Sequence, residues 1–276
     1  MKKLLTFTAI IGIFVLGLYF YFHNIGRVQP NENEIFITSA DVPEPFDGAR
    51  IVQISDLLVR SESCLVLLEN VVNMVNNLEP EIIVFTGNLF LPEGIQFENR
   101  VADLLSQLNA SLRQIAVLGY HDLPHYELTS NVLSEADFYL LNNRSIRVFD
   151  QSPIGINVIG ASPTNDRNTM DQLLEAHTLD GRFNLLLMSV PTFSAVALGY
   201  PVHAQLSGHC LATQDAISQT SPCFQFYSGT YQFADSFTLH VSPGLARFYT
   251  ISGLFRQPSI DSFLLIRDRD SYLVSE

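Results

Sequence analysis

The chain has 276 residues, 47% of them apolar, enough to bury a full core in one or two domains. Its formal net charge of −13 excludes nucleic-acid binding through phosphate contacts, which needs clustered basic side chains. Lys2 and Lys3 are the only lysines, so the acidic remainder is also repelled by anionic lipid head groups.

Met1-Lys2-Lys3 precedes an uncharged apolar run from Leu4 to Phe22. That run is close to the roughly 20 residues that cross a bilayer as a helix, and the lysines orient its N-terminus towards the cytoplasm. The stretch after it lacks a small-x-small cleavage site, and Tyr19 to Phe22 is bulky. An uncleaved anchor is therefore favoured over a cleaved signal peptide. The expected organisation is a cytoplasmic N-terminus and transmembrane anchor over 1–23, a linker over 24–34 and one extracytoplasmic domain over 35–276. The linker reading rests on Gln29-Pro30-Asn31-Glu32-Asn33-Glu34, which has no apolar periodicity.

Beyond the linker, short apolar runs alternate with helical spacing. Arg50 to Ser55 reads as a buried strand. Ser63 to Asn77 repeats Leu67, Val71, Met74 and Val75 at helical spacing. Ile82 to Thr86 predicts a strand, Val101 to Leu112 a helix and Ile115 to Leu118 a strand. Strands alternating with helices imply crossover units and a largely parallel sheet. Further strands are expected over 145–149, 156–159, 183–188, 203–207, 224–227, 238–241 and 263–266. A helix is expected over 190–198, with Pro191 near its first turn. So many strands imply two sheets with helices outside them, an α/β sandwich.

Three cysteines remain: Cys64, Cys210 and Cys223. Cys210 and Cys223 can pair across a short loop if the domain lies outside the cytoplasm. The alternative is that all three are small buried apolar residues, the favoured reading for Cys64.

Four loops follow predicted strands: Ser55-Asp56-Leu57-Leu58, Thr86-Gly87-Asn88, Gly119-Tyr120-His121-Asp122 and Ser207-Gly208-His209-Cys210-Leu211. Loops at the carboxyl ends of strands in an α/β sheet converge on one site. In order and spacing they resemble the D-x-H, G-D, G-N-H-[DE] and G-H-x-H loops of the calcineurin-like metallophosphoesterases. Leu186-Leu187-Met188-Ser189-Val190-Pro191 resembles the family's L-L-S-H-x-P. Gly229-Thr230-Tyr231, Ser242-Pro243-Gly244-Leu245 and Arg256-Gln257-Pro258 resemble its C-terminal segments. The resemblance runs from about Arg50 to Arg267, and with the anchor it points to a membrane-anchored bacterial branch that resembles lipid-related phosphodiesterases.

The resemblance implies a two-metal phosphoesterase site and places seven ligand positions. Asp56 is the retained bridging aspartate and His209 a retained histidine. Asn88 replaces the second bridging aspartate. Leu58, Tyr120, Ser189 and Leu211 stand where the family has a histidine, an asparagine and two further histidines. His121 stands where the family histidine protonates the leaving group or stabilises the transition state. Two cations about 3.5–4 Å apart need anionic and imidazole donors to offset their repulsion, and few remain. The expectation is that no metal binds tightly. The function that follows is a catalytically impaired homologue acting by binding a protein or phosphoester ligand in the old cleft. The alternative is an active phosphodiesterase or phosphatase acting on a lipid-linked or envelope phosphoester. It would use Mn, Zn or Fe in a site rebuilt from Cys210, His203 or Asp122.

Simpler roles compete for two of these groups. His121-Asp122 reads as a cap of the next helix, with Asp122 accepting backbone N–H groups. His209 reads as a core histidine held by a carbonyl, with a mononuclear site from Asp56, His209 and Cys210 as the weaker alternative. His23, His125, His177, His203 and His240 have no metal-ligand spacing, and no serine sits in a nucleophile elbow. Gly87, Gly119 and Gly208 are expected to allow tight turns.

Overall fold

The computed structural model describes residues 11–17, 30–164, 166–210, 223, 225–233, 237–246 and 258–269. Residues 11–17 are helical and exposed. Among the described residues no helix is long and apolar enough to cross a membrane. Most of the apolar run from Leu4 to Phe22 lies outside them.

Among the described residues, two mixed sheets of six strands each stack face to face. The first runs β1(Asn31–Ser39), β12(Ser259–Arg267), β2(Arg50–Ile54), β3(Ile82–Phe85), β4(Arg113–Ala116), β5(Tyr139–Leu140). The second runs β10(Gly229–Phe233), β11(Phe237–Val241), β9(Ala204–Ser207), β8(Asn184–Leu187), β7(Ile156–Gly160), β6(Arg144–Val148). Strands β2, β3 and β4 are parallel, as are β7, β8 and β9, whereas β12 runs antiparallel to β2.

Three apolar layers hold this stack. Helices α1(Glu62–Asn77), α2(Glu98–Leu105) and α3(Tyr126–Glu135) cover the outer face of the first sheet. Leu68, Val71 and Val75 of α1 meet Val52, Ile54, Ile83 and Phe85 there. Ile51, Val84, Phe263, Leu185 and Leu206 fill the space between the sheets. Helices α4(Arg167–His177) and α5(Ser194–Ala197) cover the second sheet through Met170, Leu174 and Val196. Each such side chain, fully buried, contributes about 1.5–3 kcal/mol. Strand β2 carries Ile51 on one face and Val52 and Ile54 on the other, which explains its continuous apolar run.

The expected sandwich of two sheets flanked by helices is the observed architecture, but several elements differ. Asn31 to Glu34 are not linker: they open β1, which pairs in parallel with β12. This edge strand is polar because Glu32 and Glu34 face Arg50 (3.5 and 3.2 Å), while Asn33 donates to Ser259 and Asp261. The helix expected to reach Leu112 ends at Leu105, where the Ser106 hydroxyl and the Gln107 amide both donate to the Asp103 carbonyl. The helix expected over 190–198 contracts to α5. Residues 225–227 are not strand, and the chain pairs instead at Gly229–Phe233.

Candidate functional site

Asp56, Asn88, His121, Ser189 and His209 follow the carboxyl ends of β2, β3, β4, β8 and β9, so the topology brings both sheets to one cleft. Three of these turns use left-handed backbone at non-glycine residues: φ is 55° at Asp56, 65° at Asn88 and 66° at His209, with Leu58 at 43°. Such conformations cost about 1–3 kcal/mol each and persist where surrounding contacts hold them. The contacts here are direct. Asp56 N–H donates to the Gly87 carbonyl, Leu58 N–H to that of Asn88, and Ala246 N–H to that of Asp56.

Hydrogen bonds from the protein fill the centre of the cleft. Asp56 is fully buried, and its Oδ2 accepts from Ser55 Oγ (2.7 Å) and His209 N–H (2.8 Å). Its Oδ1 accepts from Asn88 Nδ2 (2.7 Å). The same amide nitrogen lies 3.2 Å from His209 Nδ1. Asn88 Oδ1 accepts from His121 N–H (3.1 Å). The neighbours fix this amide orientation: a carboxylate cannot donate and a backbone N–H cannot accept. His209 Nδ1 is then an acceptor, and its neutral ring carries the proton on Nε2. The Asn88 oxygen, the atom that would ligate a metal, is turned towards His121 N–H.

The other positions have these surroundings. Leu58 is buried. Tyr120 lies with its ring 5.9 Å from that of His209, and burial raises its pKa. The His121 side chain is exposed, with its ring 6.0 Å from His209. Ser189 is fully buried with an unpartnered hydroxyl, and Leu211 lies outside the described residues. Among the described residues no group of three or more His, Cys, Asp or Glu is disposed to hold a metal ion. One buried carboxylate with both oxygens bonded by protein donors, an inward-turned amide and one imidazole do not fit a pair of dications.

The groups named for a rebuilt site are committed elsewhere. Cys210 is disulfide-bonded to Cys223, with Cα atoms 5.4 Å apart, so it is not a ligand beside Asp56 and His209. His203 lies at the far end of the sandwich, between Asn184 N–H and Asp41. Asp122 does not cap α3. Its carboxylate accepts from the N–H groups of Asn88 (2.7 Å), Leu89 (2.8 Å) and Gly119 (2.7 Å), clasping the β3 and β4 loops together. Burial raises its pKa against these three bonds, and the charge on Asp56 adds to the rise. Two of the loop glycines serve close approach rather than turn conformation. A Cβ on Gly119 would sit 2.1 Å from Asn88 Oδ1, and one on Gly208 1.9 Å from Ser55 Oγ.

A buried buttress lies beneath the loop after β11, and no spacing of its members along the chain points to it. Asp261 on β12 accepts from Ser242 Oγ (2.5 Å), Asn33 Nδ2 (2.9 Å) and Ser259 Oγ (3.2 Å). His240 Nε2 stands 3.3 Å away, in ion-pair range but not aligned as a hydrogen bond. The loop so held passes through Leu245, whose N–H donates to the Ser55 carbonyl. Burial pushes the Asp261 pKa up, but contacts with His240, Ser242 and Asn33 outweigh it, and the net direction is down. A carboxyl depressed in the fold contributes stability above its unfolded pKa of about 3.9 and loses it as pH falls through the folded value. Asp261→Asn should therefore lower the urea midpoint at pH 7, with a gap to wild type that narrows below about pH 4. A gap independent of pH would reject this account.

No family model matches the sequence. The chain is 28% identical over 264 residues to YkuE of Bacillus subtilis, named an uncharacterized metallophosphoesterase, covering 90% of each chain. It is 32% identical over 122 residues to the UDP-2,3-diacylglucosamine pyrophosphatase LpxG of Chlamydia muridarum, covering 43% of this chain and 36% of that one. It is 24% identical over 257 residues to a transmembrane protein with metallophosphoesterase domain from Danio rerio, covering 87% of this chain and 57% of that one. The last two matches span less than two thirds of those relatives. Relatives named metallophosphoesterases, together with mixed sheets whose strand-end loops meet in one cleft, support the calcineurin-like phosphoesterase family for this chain.

Proposed function

We propose that the protein is a membrane-anchored, phosphoesterase-fold protein that is catalytically impaired and acts by binding a ligand or partner in the former metal cleft. The observation that carries this reading is the Asn88 amide, which lies within hydrogen-bond distance of both Asp56 and His209. A neutral donor stands between the two retained ligands, where a cation would otherwise compensate the buried carboxylate. The loop skeleton is thus ordered by hydrogen bonds. A bound phosphoester or acidic group would meet His121 and Tyr120 beside His209, whose rings lie within about 6 Å. Anchoring by the apolar run from Leu4 to Phe22 draws support from the relative named a transmembrane protein. The Cys210–Cys223 disulfide supports an oxidising compartment for the domain.

The test uses the full-length chain in mild detergent. Bound manganese, zinc and iron are measured together with hydrolysis of bis(p-nitrophenyl) phosphate. Metal well below one equivalent and no turnover that depends on His209 are expected. Metal near two equivalents, with turnover abolished by His209→Ala, would overturn the reading.

A further inference from the structure

At the end of the sandwich away from the cleft, a cavity of about 450 Å³ is lined by Asp41, Val42, Glu44, Ile154, Arg182 and Arg267, among others. Its size lies within the roughly 300–1,000 Å³ range of small-molecule sites. Arg267 ends β12, which runs antiparallel to β2, and Arg182 lies just before β8. Both positions are therefore opposite the loops that carry Asp56, Ser189 and His209.

Charge makes this cavity unusual in an acidic chain. Arg50, Arg100, Arg167 and Arg269 each pair with a carboxylate. Among the described residues, the Arg182 and Arg267 guanidinium groups make no hydrogen bond or salt bridge, although the Arg267 charge acts on the nearby Asp47 carboxylate. Their backbones are fixed nonetheless: Arg267 N–H donates to Asp47 (2.9 Å), and the Arg182 carbonyl accepts from Asn184 Nδ2 (2.9 Å). Asp41 is also held. His203 Nδ1 accepts from Asn184 N–H, so its neutral ring donates from Nε2 to Asp41 Oδ2 at 2.9 Å.

We propose that this cavity binds a zwitterion: a small molecule or head group carrying a phosphate or carboxylate beside an ammonium. Two guanidiniums carried on anchored backbone suit the anionic group, which planar arginine donors can bind bidentately. Asp41 and Glu44 would repel a bare polyanion but attract an adjacent ammonium. Val42 and Ile154 shelter the short carbon linker between the charges.

Calorimetric titration of the full-length chain in detergent with O-phosphoethanolamine and with glycine tests this, with inorganic phosphate and ethanolamine as controls. At least one zwitterion is expected to bind saturably and more tightly than either control. Arg182→Gln and Arg267→Gln should each weaken it about tenfold or more, and Glu44→Gln should weaken the zwitterion while leaving or improving phosphate binding. Co-flotation with phosphatidylethanolamine vesicles separates the sources. Arginine-dependent flotation without free-ligand binding assigns a lipid head group, and free-ligand binding assigns a soluble molecule. No binding in either format overturns the proposal. So does binding unchanged in the folded Arg182→Gln/Arg267→Gln chain, or phosphate binding as tight as the zwitterion and indifferent to Glu44.

Discussion

Replacing Asp122 by alanine is expected to cost about 3–5 kcal/mol of folding stability, because three buried backbone donors lose their acceptor together. The N–H groups of Asn88, Leu89 and Gly119 all end on this one carboxylate. Each buried donor left unpaired costs about 1–3 kcal/mol, and relief of the carboxylate's own desolvation offsets part of the sum. The magnitude separates two roles. A side chain that only capped α3 would lose about 1 kcal/mol, whereas a clasp between two loops loses several. Against a typical total of about 5–15 kcal/mol, the alanine variant should melt on the order of 10 °C lower. Asp122→Asn should cost less, about 1–2 kcal/mol. Its oxygen can keep the Asn88 and Gly119 bonds, while its NH2 group faces the Leu89 N–H. Urea denaturation followed by circular dichroism reads both. An alanine variant within 1 kcal/mol of wild type would sink the clasp.

The same residue explains why the sequence reveals the loops but not what holds them. Strands such as β2, β3 and β8 announce themselves because they are buried on both faces, so their composition is apolar without interruption. Helix α1 does so through Leu67, Val71, Met74 and Val75. The order of the cleft loops is legible for a related reason, since each is a short turn directly after such a strand. Strand β1 hides because it lies at an edge, and its polar side chains bond across the sheet rather than bury. The clasp hides because Asp122 reaches Asn88 and Leu89 across 34 and 33 positions of chain. The Asp261 buttress gathers Asn33 from β1 and His240 and Ser242 from the end of β11, both far from Asp261 in the chain. Nothing local marks these contacts, because each becomes a neighbour relation only when the strands stack. Asn88 is the instructive case. Its identity signals a lost carboxylate, but only the positions of Asp56, His209 and His121 N–H tell which way its amide faces and that it bonds the acid instead of replacing it.

The largest expected change in the molecule comes from reversing that exchange. Leu58→His, Asn88→Asp, Tyr120→Asn, Ser189→His and Leu211→His introduced together should raise manganese affinity by about a thousandfold or more, since loss of even outer-shell partners costs about 10–100-fold. Asn88→Asp alone should not. It places a carboxylate where an amide now donates to Asp56 Oδ1 at 2.7 Å, and like charges that close disfavour joint ionisation. The single variant is therefore expected to be less stable than wild type by about 1–3 kcal/mol, with little recovery in manganese. The fivefold variant should likewise be unstable without metal but should gain melting temperature steeply with manganese concentration, because a cation bound only by the folded state stabilises it by mass action. Thermal denaturation across a manganese series, paired with metal content after dialysis, distinguishes the three chains. A fivefold variant that folds yet shows wild-type metal content and no manganese-dependent stabilisation would mean that these loops are not the remains of a metal site.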